Sequence, residues 1–303
     1  MSAGGDLAWV DGTLLPRSAP HVSADDFGLR YGLTCFETML ARHGRVFRLA
    51  EHLDRLEGSL RLFRAEPPPR AILERAVTAT LEANALTEAS VRLSVSPGVG
   101  GPPALPARGP AMTVVTVEPL GPRPPRSRLW VSSVLLDAAR LWRGAKVGQY
   151  APYLLARREA EDLGFEDALL TDHEGYVVET ATSNVFVVLD DVLVTPPLER
   201  GPIPGVTRAC LLELAAQEGI PCREGDIALG DLARATSAFA TNSIAGLEPL
   251  TSISWEDEGG RHEWRAAEAG SAGDALLAGL SAAYADLVEA GTREQANAAS
   301  DLR

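Results

Sequence analysis

The stretch 168–195, ALLTDHEGYVVETATSNVFVVLDDVLVT, decides the fold class. Four short runs, Ala168–Thr171, Val177–Thr180, Val185–Leu189 and Val192–Thr195, are rich in apolar and β-branched residues, with polar, turn-forming residues between them. Such spacing predicts four strands with hairpin-like connections. Outward from this core, Ala151–Leu163 reads as a helix, and Thr207–Gln217 as another that starts just after Pro204-Gly205. Leu129–Leu135 and Ser237–Ala240 read as strands, and Asp274–Leu287 as an Ala/Leu helix. The polar tail beyond reads as frayed.

The N-terminal part alternates in the same way. Asp11-Gly12 between Leu7–Val10 and Thr13–Leu15 is a two-residue hairpin signal. Cys35–Arg42 is a β-compatible run, and His43-Gly44 turns it into Val46–Leu49. Apolar residues at 53, 56, 60 and 63 give Ala50–Phe63 helical spacing, which Pro67-Pro68-Pro69 ends. A second helix follows over 72–84, then strands over 90–96 and 112–118. Four prolines within Pro119–Arg126 mark a domain boundary. The expected architecture is α+β with mixed or antiparallel sheets: a smaller N-terminal domain over 1–120, a larger one over 121–303, and a mobile tail after 290.

Composition bounds the function. Of 28 basic residues 27 are arginine, and Lys146 is the one lysine. Arginine serves a solvated surface as well as lysine does, but its guanidinium keeps its proton at any working pH, whereas an amine can lose one and attack a carbonyl. Codon bias explains the arginines without explaining the exception, so Lys146 is a candidate nucleophile. Cys35, Cys210 and Cys222 are too scattered for a disulfide framework or a zinc site, so no metal is expected and the reading is a reduced, cytoplasmic protein. A net charge of -13 argues against nucleic acid as a partner, and no apolar run is long enough for a membrane span.

An enzyme that uses pyridoxal phosphate needs an amine, an acid for the pyridine nitrogen, donors for the phosphate and a dry pocket. Glu179, at a predicted strand end, is a candidate acid; a strand-end charge is the plainer reading of it alone. Gly205-Val206-Thr207-Arg208 opens a helix, where free N–H groups and the dipole favour an anion; it is also an ordinary helix start. Thr241-Asn242-Ser243 is a second candidate donor group or a polar turn. Arg55, among apolar helix positions, offers a fork suited to phosphate or to an ion pair with a nearby acid. Tyr150 is a candidate partner for the ring hydroxyl or a core aromatic. His52 reads as packed or capping.

In their order, these segments resemble the fold-type IV pyridoxal-phosphate enzymes, the class IV aminotransferase family. That family holds branched-chain and D-amino-acid aminotransferases and aminodeoxychorismate lyase. The resemblance runs from about Trp9 to Pro249, through Asp25–Gly32, Phe36-Glu37-Thr38, Glu51–Leu56, Lys146, Glu179–Phe186, Gly205–Arg208 and Thr241–Ser243. It implies a two-domain, D-amino-acid-aminotransferase-like fold with the cofactor between the domains, and a homodimer acting on a small molecule. It implies that Lys146 carries pyridoxal 5'-phosphate and moves the substrate's α-proton, and that Glu179 holds the ring nitrogen. Arg55, Val206, Thr207 and Ser243 would bind phosphate; Tyr31 and Phe36 would line the substrate pocket. Phe36–Met39 and Thr241–Gly246 look more like the lyases than the branched-chain aminotransferases. Two departures weigh against the lyase: Ala245 stands where lyases often carry arginine, and Gly100-Gly101-Pro102-Pro103 where they often carry Gly-Gly-Arg-Gly.

Overall fold

Asp11 and Gly12 take φ values of 45° and 97°, the geometry a two-residue hairpin between right-twisted strands demands. They join β1 (Leu7–Val10) to β2 (Thr13–Pro16), as expected. The computed structural model describes residues 6–19, 22–101, 110–137, 139, 142–266 and 272–300, the side chains of 295–300 excepted. Pro102 and Pro103, which bear on the lyase comparison, lie outside the described residues. The chain divides into two compact units: Met1–Pro122 with Ala145–Gln149 and Leu287–Arg303, and Arg123–Gly144 with Tyr150–Asp286.

In the first unit α1 (Phe27–Tyr31), β3 (Cys35–Arg42), β4 (Arg45–Val46), α2 (Leu49–Leu62), α3 (Arg70–Ala83), β5 (Ala89–Ser96) and β6 (Met112–Pro119) follow β2. The strands form one six-stranded sheet, β2-β1-β6-β5-β3-β4, with antiparallel pairing throughout. Leu53, Leu56 and Leu60 of α2 and Leu73, Val77 and Leu81 of α3 are buried, the apolar stripes that the helical spacing calls for.

The second unit contains β7 (Arg128–Val131), α4 (Ala151–Asp162), β8 (Asp167–Thr171), β9 (Val177–Thr180), β10 (Asn184–Leu189), β11 (Val192–Thr195), α5 (Val206–Gln217), β12 (Cys222–Glu224), β13 (Ala235–Asn242), β14 (Gly246–Pro249), β15 (Ser252–Asp257), β16 (Gly260–Arg265) and α6 (Ala272–Ser300). They build two five-stranded sheets, β12-β11-β10-β13-β14 and β16-β15-β7-β8-β9. Leu129, Leu169, Val177, Val185, Val187, Ile253 and neighbours from both sheets share one apolar core. Ala156 and Ala160 seat α4 on the second sheet.

Three expectations need correction, and one hairpin is added. Lys146 does not group with the larger domain. Beyond the short β4, the edge of β3 is open, and 146–148 fill it: the Phe36 N–H donates to the Lys146 carbonyl at 3.0 Å, and Val147 bridges Cys35. The hairpin-like connections hold between β8 and β9 and between β10 and β11, where Asp190 and Asp191 take φ of 50° and 62°. They fail at 181–183, where the chain leaves one sheet for the other; Thr180 Oγ1 accepts the Ser183 N–H at 2.9 Å and shapes that corner. The β15–β16 hairpin is an addition to the expected elements, although Ile253 and Trp255 alternate with serines and Glu258-Gly259 makes a two-residue turn. Finally, α6 continues through the tail expected to fray. Its alanines, Arg293, Glu294 and Gln295 are good helix formers, and Val288 and Thr292 are buried in the first unit.

Candidate functional site

The first unit places Lys146 beside β3. The Lys146 Nζ lies 4.7 Å from the centroid of the Phe36 ring, and the Arg92 guanidinium lies 3.9 Å from the same centroid. The Lys146 N–H also donates to the Ser59 hydroxyl on α2 at 3.4 Å. Side chains alternate along a strand, so Glu37, next to Phe36, faces the other way, toward α2. It is fully buried, and its carboxylate accepts from Arg55 through Nε at 2.8 Å and Nη2 at 2.5 Å, and from His52 Nδ1 at 2.7 Å. Burial alone would push the Glu37 carboxyl up, but the Arg55 charge and the Arg55 and His52 hydrogen bonds overcome it and hold it at about 2. Burial pulls His52 below its usual range against the opposing pull of Glu37. His52 is therefore neutral near pH 7 and donates through Nδ1. Tyr31, at the end of α1, packs edge-on against Phe27 and gives its carbonyl to the Gln149 side chain.

The second unit carries Glu179 at the end of β9, 3% exposed. Its carboxylate accepts from the Tyr153 hydroxyl at 2.8 Å, the Ile203 N–H at 3.1 Å and Asn184 Nδ2 at 3.4 Å. Asn184 Nδ2 also donates to the Ile203 carbonyl at 2.8 Å. The loop before α5 is thereby tied to the acid. A Cβ on Gly205 would come within 2.0 Å of Asn184 Oδ1, so no side chain fits there. Gly205 caps α5 without a side-chain hydrogen bond, and the intrahelical ladder begins at the Ala209 N–H. The N–H groups of 206–208 consequently have no partner within the helix. Val206 and Thr207 are buried, and Thr207 Oγ1 lies 3.2 Å from the Tyr284 hydroxyl. Asn242 Oδ1 accepts the N–H groups of Ile244 and Ala245 and so shapes the turn that carries Ser243. The buried Thr241 hydroxyl just before it has no hydrogen-bond partner among the described residues. Tyr150 stacks on Tyr153 at 4.6 Å and donates to the Ala181 carbonyl at 2.5 Å.

The structure thus brings Lys146 together with Phe36, and ties Arg55 to the same strand through Glu37. Separately it joins Glu179 to the approach of α5. The residues fit pyridoxal phosphate. An orphaned buried hydroxyl, a helix start kept bare by a glycine, and a buried carboxylate held in a fixed direction are what an anionic pyridine ring needs. Sequence reasoning did not find Tyr153, Arg92 or the partners of Glu37. A tyrosine one helical turn from Tyr150 was a visible signal; Arg92 had none, because its stacking on Phe36 exists only across paired strands.

The family model for amino-transferase class IV matches residues 34–253. The chain is 30% identical over 255 residues to an aminodeoxychorismate lyase of Vibrio harveyi, covering 82% of this chain and 92% of that one. Several other curated relatives carry branched-chain-aminotransferase names. Among solved structures, 4-amino-4-deoxychorismate lyase from Pseudomonas aeruginosa superposes with a TM-score of 0.78 and 32% identity, over 92% of this chain and 98% of that one. The branched-chain amino acid aminotransferase of T.th., complexed with N-(5'-phosphopyridoxyl)-L-glutamate, gives a TM-score of 0.81 and 27% identity, over 96% of this chain and 95% of that one.

Proposed function

The chain belongs to the amino-transferase class IV family of pyridoxal-phosphate enzymes, and from that premise we propose that it is an aminodeoxychorismate lyase. The reaction converts 4-amino-4-deoxychorismate to 4-aminobenzoate and pyruvate. The single observation that carries the choice is the pair of cations on the Phe36 ring, Lys146 at 4.7 Å and Arg92 at 3.9 Å. The lyase substrate is a dicarboxylate. Arg92 shares the Phe36 ring with the reactive lysine, and a cation on that ring suits a carboxylate where Ala245 supplies no charge. The run Thr241–Gly246 supports the same reading.

The bound cofactor supplies an electron sink for the pair left when the substrate's α-C–H bond breaks. Lys146 holds the cofactor and takes the α-proton, which only an amine able to deprotonate can do. Glu179 holds the proton on the ring nitrogen, and Tyr153 and Asn184 hold Glu179. Val206, Thr207, Ser243 and Arg55 take the phosphate; Tyr150 addresses the ring hydroxyl. Phe36 and Tyr31 line the substrate pocket and exclude water. As the α-proton leaves, the C–O bond to the enolpyruvyl group breaks, the ring becomes aromatic, and a proton on the released enol gives pyruvate. No second substrate is needed.

A second reading, amino transfer to a keto acid by a branched-chain or D-amino-acid aminotransferase, draws on the names of the relatives above. One assay separates the two. Aminodeoxychorismate supplied without any keto acid should give pyruvate and 4-aminobenzoate. No pyruvate, with brisk amine exchange between an amino acid and 2-oxoglutarate, selects the aminotransferase.

We further propose a homodimer in a reducing, cytoplasmic compartment. None of the three cysteines forms a disulfide among the described residues, and no described helix is long and apolar enough to cross a membrane. Leu154 and Leu155 on α4, 60% and 63% exposed, are apolar surface for a second copy to cover. Light scattering should give twice the 32.1 kDa chain mass; an active monomer at assay concentration rules the dimer out.

A further inference from the structure

The strand β3 sends Phe36 toward Lys146 and Glu37 toward Arg55, and it is Glu37 that the proposed chemistry leaves without a task. A buried ion pair is a poor source of stability, because its desolvation cost offsets its Coulombic gain, and apolar residues of similar volume do as well or better. What a bidentate pair does provide is orientation. Glu37 engages Arg55 Nε and Nη2 at once, which fixes the guanidinium in one plane. His52, one helical turn before Arg55 on α2, takes up Glu37 Oε2 from the side at 2.7 Å, and Arg55 Nη2 lies 3.4 Å from the same imidazole nitrogen. Three donors thus converge on one carboxylate, and both helix residues are referenced to the strand.

The arrangement reaches Lys146 as well. One turn further along α2, the Ser59 hydroxyl donates to the Arg55 carbonyl at 2.9 Å and accepts the Lys146 N–H. The strand fixes Arg55 through Glu37 and Lys146 through the Phe36 N–H and ring; the helix fixes the same two residues through Ser59. Two groups that must meet different ends of one rigid molecule are held in register from both sides.

We propose that Glu37, assisted by His52, is a positioning residue that aims the Arg55 guanidinium at the phosphate of pyridoxal phosphate and sets its register to Lys146. The inference rests on the reading that Arg55 addresses that phosphate. It predicts a defect that depends on the phosphate itself. Pyridoxal lacks the phosphate but keeps the ring and the aldehyde, so it should not sense the aim of Arg55.

The experiment titrates the full-length protein, freed of cofactor, with pyridoxal phosphate and with pyridoxal, following the absorbance of the bound form. Hydrogen bonds to charged groups contribute about 1.5–3 kcal/mol. Glu37→Gln should therefore weaken pyridoxal phosphate roughly tenfold to a hundredfold and pyridoxal by less than about twofold. A purely structural role would weaken both alike, and that result overturns the proposal. Because Glu37→Gln leaves a buried guanidinium half-paired, Arg55→Gln and the double variant Glu37→Gln/Arg55→Gln complete a cycle. In the Arg55→Gln background, losing Glu37 should cost no further phosphate selectivity; an added loss shows that Glu37 does not act through Arg55. If Arg55→Gln abolishes the selectivity and Glu37→Gln does not, positioning fails while the phosphate reading stands. If Arg55→Gln leaves the selectivity intact, both fail.

Discussion

The Tyr153 hydroxyl donates to the buried carboxylate of Glu179 at 2.8 Å, and the ring of Tyr153 lies stacked on Tyr150 at 4.6 Å. A carboxylate that must keep a pyridine nitrogen protonated needs a fixed direction, and three donors from separate segments fix this one. Glu179→Gln keeps the shape but not the charge, so cofactor should still bind while turnover falls by several orders of magnitude. Tyr153→Phe removes one neutral donor, worth about 1 kcal/mol, and should lower kcat several-fold with little change in KM. Steady-state kinetics on both variants checks this. Wild-type turnover in Glu179→Gln removes the residue from the ring nitrogen.

Lys146 is the one lysine of the chain. Borohydride treatment of the cofactor-loaded protein should therefore mark a single peptide, the one containing residue 146, as read by mass spectrometry. Lys146→Arg keeps the charge but not the ability to deprotonate. It should lose the covalent chromophore and all measurable activity. A label elsewhere, or a yellow and active Lys146→Arg, contradicts the assignment.

Gly205 leaves a Cβ only 2.0 Å from Asn184 Oδ1. Gly205→Ala must push that carboxamide aside, and Asn184 Nδ2 also holds Glu179 and the Ile203 carbonyl. Overpacking of this kind costs about 1–3 kcal/mol. A lower Tm and weaker cofactor binding together are expected; thermal melts with and without pyridoxal phosphate measure both. An unchanged melt and affinity would falsify the claim that this approach must stay bare.

The Glu37 carboxyl is held at about 2, below its ordinary 4.5. A depressed carboxyl contributes stability above its unfolded value and loses it as pH falls toward the folded one. His52 is also depressed, from 6.5, so its buried neutral form begins to lose stability as pH falls below that value. Both groups act in the same direction. Denaturant midpoints should decline on acidification from about pH 6.5, most steeply between about 4.5 and 2. Glu37→Gln should flatten the steep part and His52→Gln the shallow part. Midpoints that keep the wild-type profile in both variants exclude this pair as the source.

What the sequence determined by itself is local. The Asp11-Gly12 turn, the stripes of α2 and α3, the bounds of β3 and the isolation of Lys146 all follow from residues near one another in the chain, because turn chemistry and periodicity act over a few positions. The order of motifs from Phe36 to Ser243 was legible for the same reason: each motif is a short run. Tertiary structure decided what depends on pairing between distant segments. Lys146 joins the first unit because β4 is too short to cover the edge of β3, and no property of residues 145–149 announces that. Glu37 becomes the partner of Arg55 because β3 packs on α2; in sequence it is one acidic residue among 41 Asp and Glu. The chain turns from one sheet to the other at 181–183 because β9 pairs with β8 and β10 with β13, a choice between alternative partners that four similar apolar strands leave open. Short-range torsional and periodic preferences are written residue by residue, whereas hydrogen-bonded partners across long loops are selected only when the whole core closes.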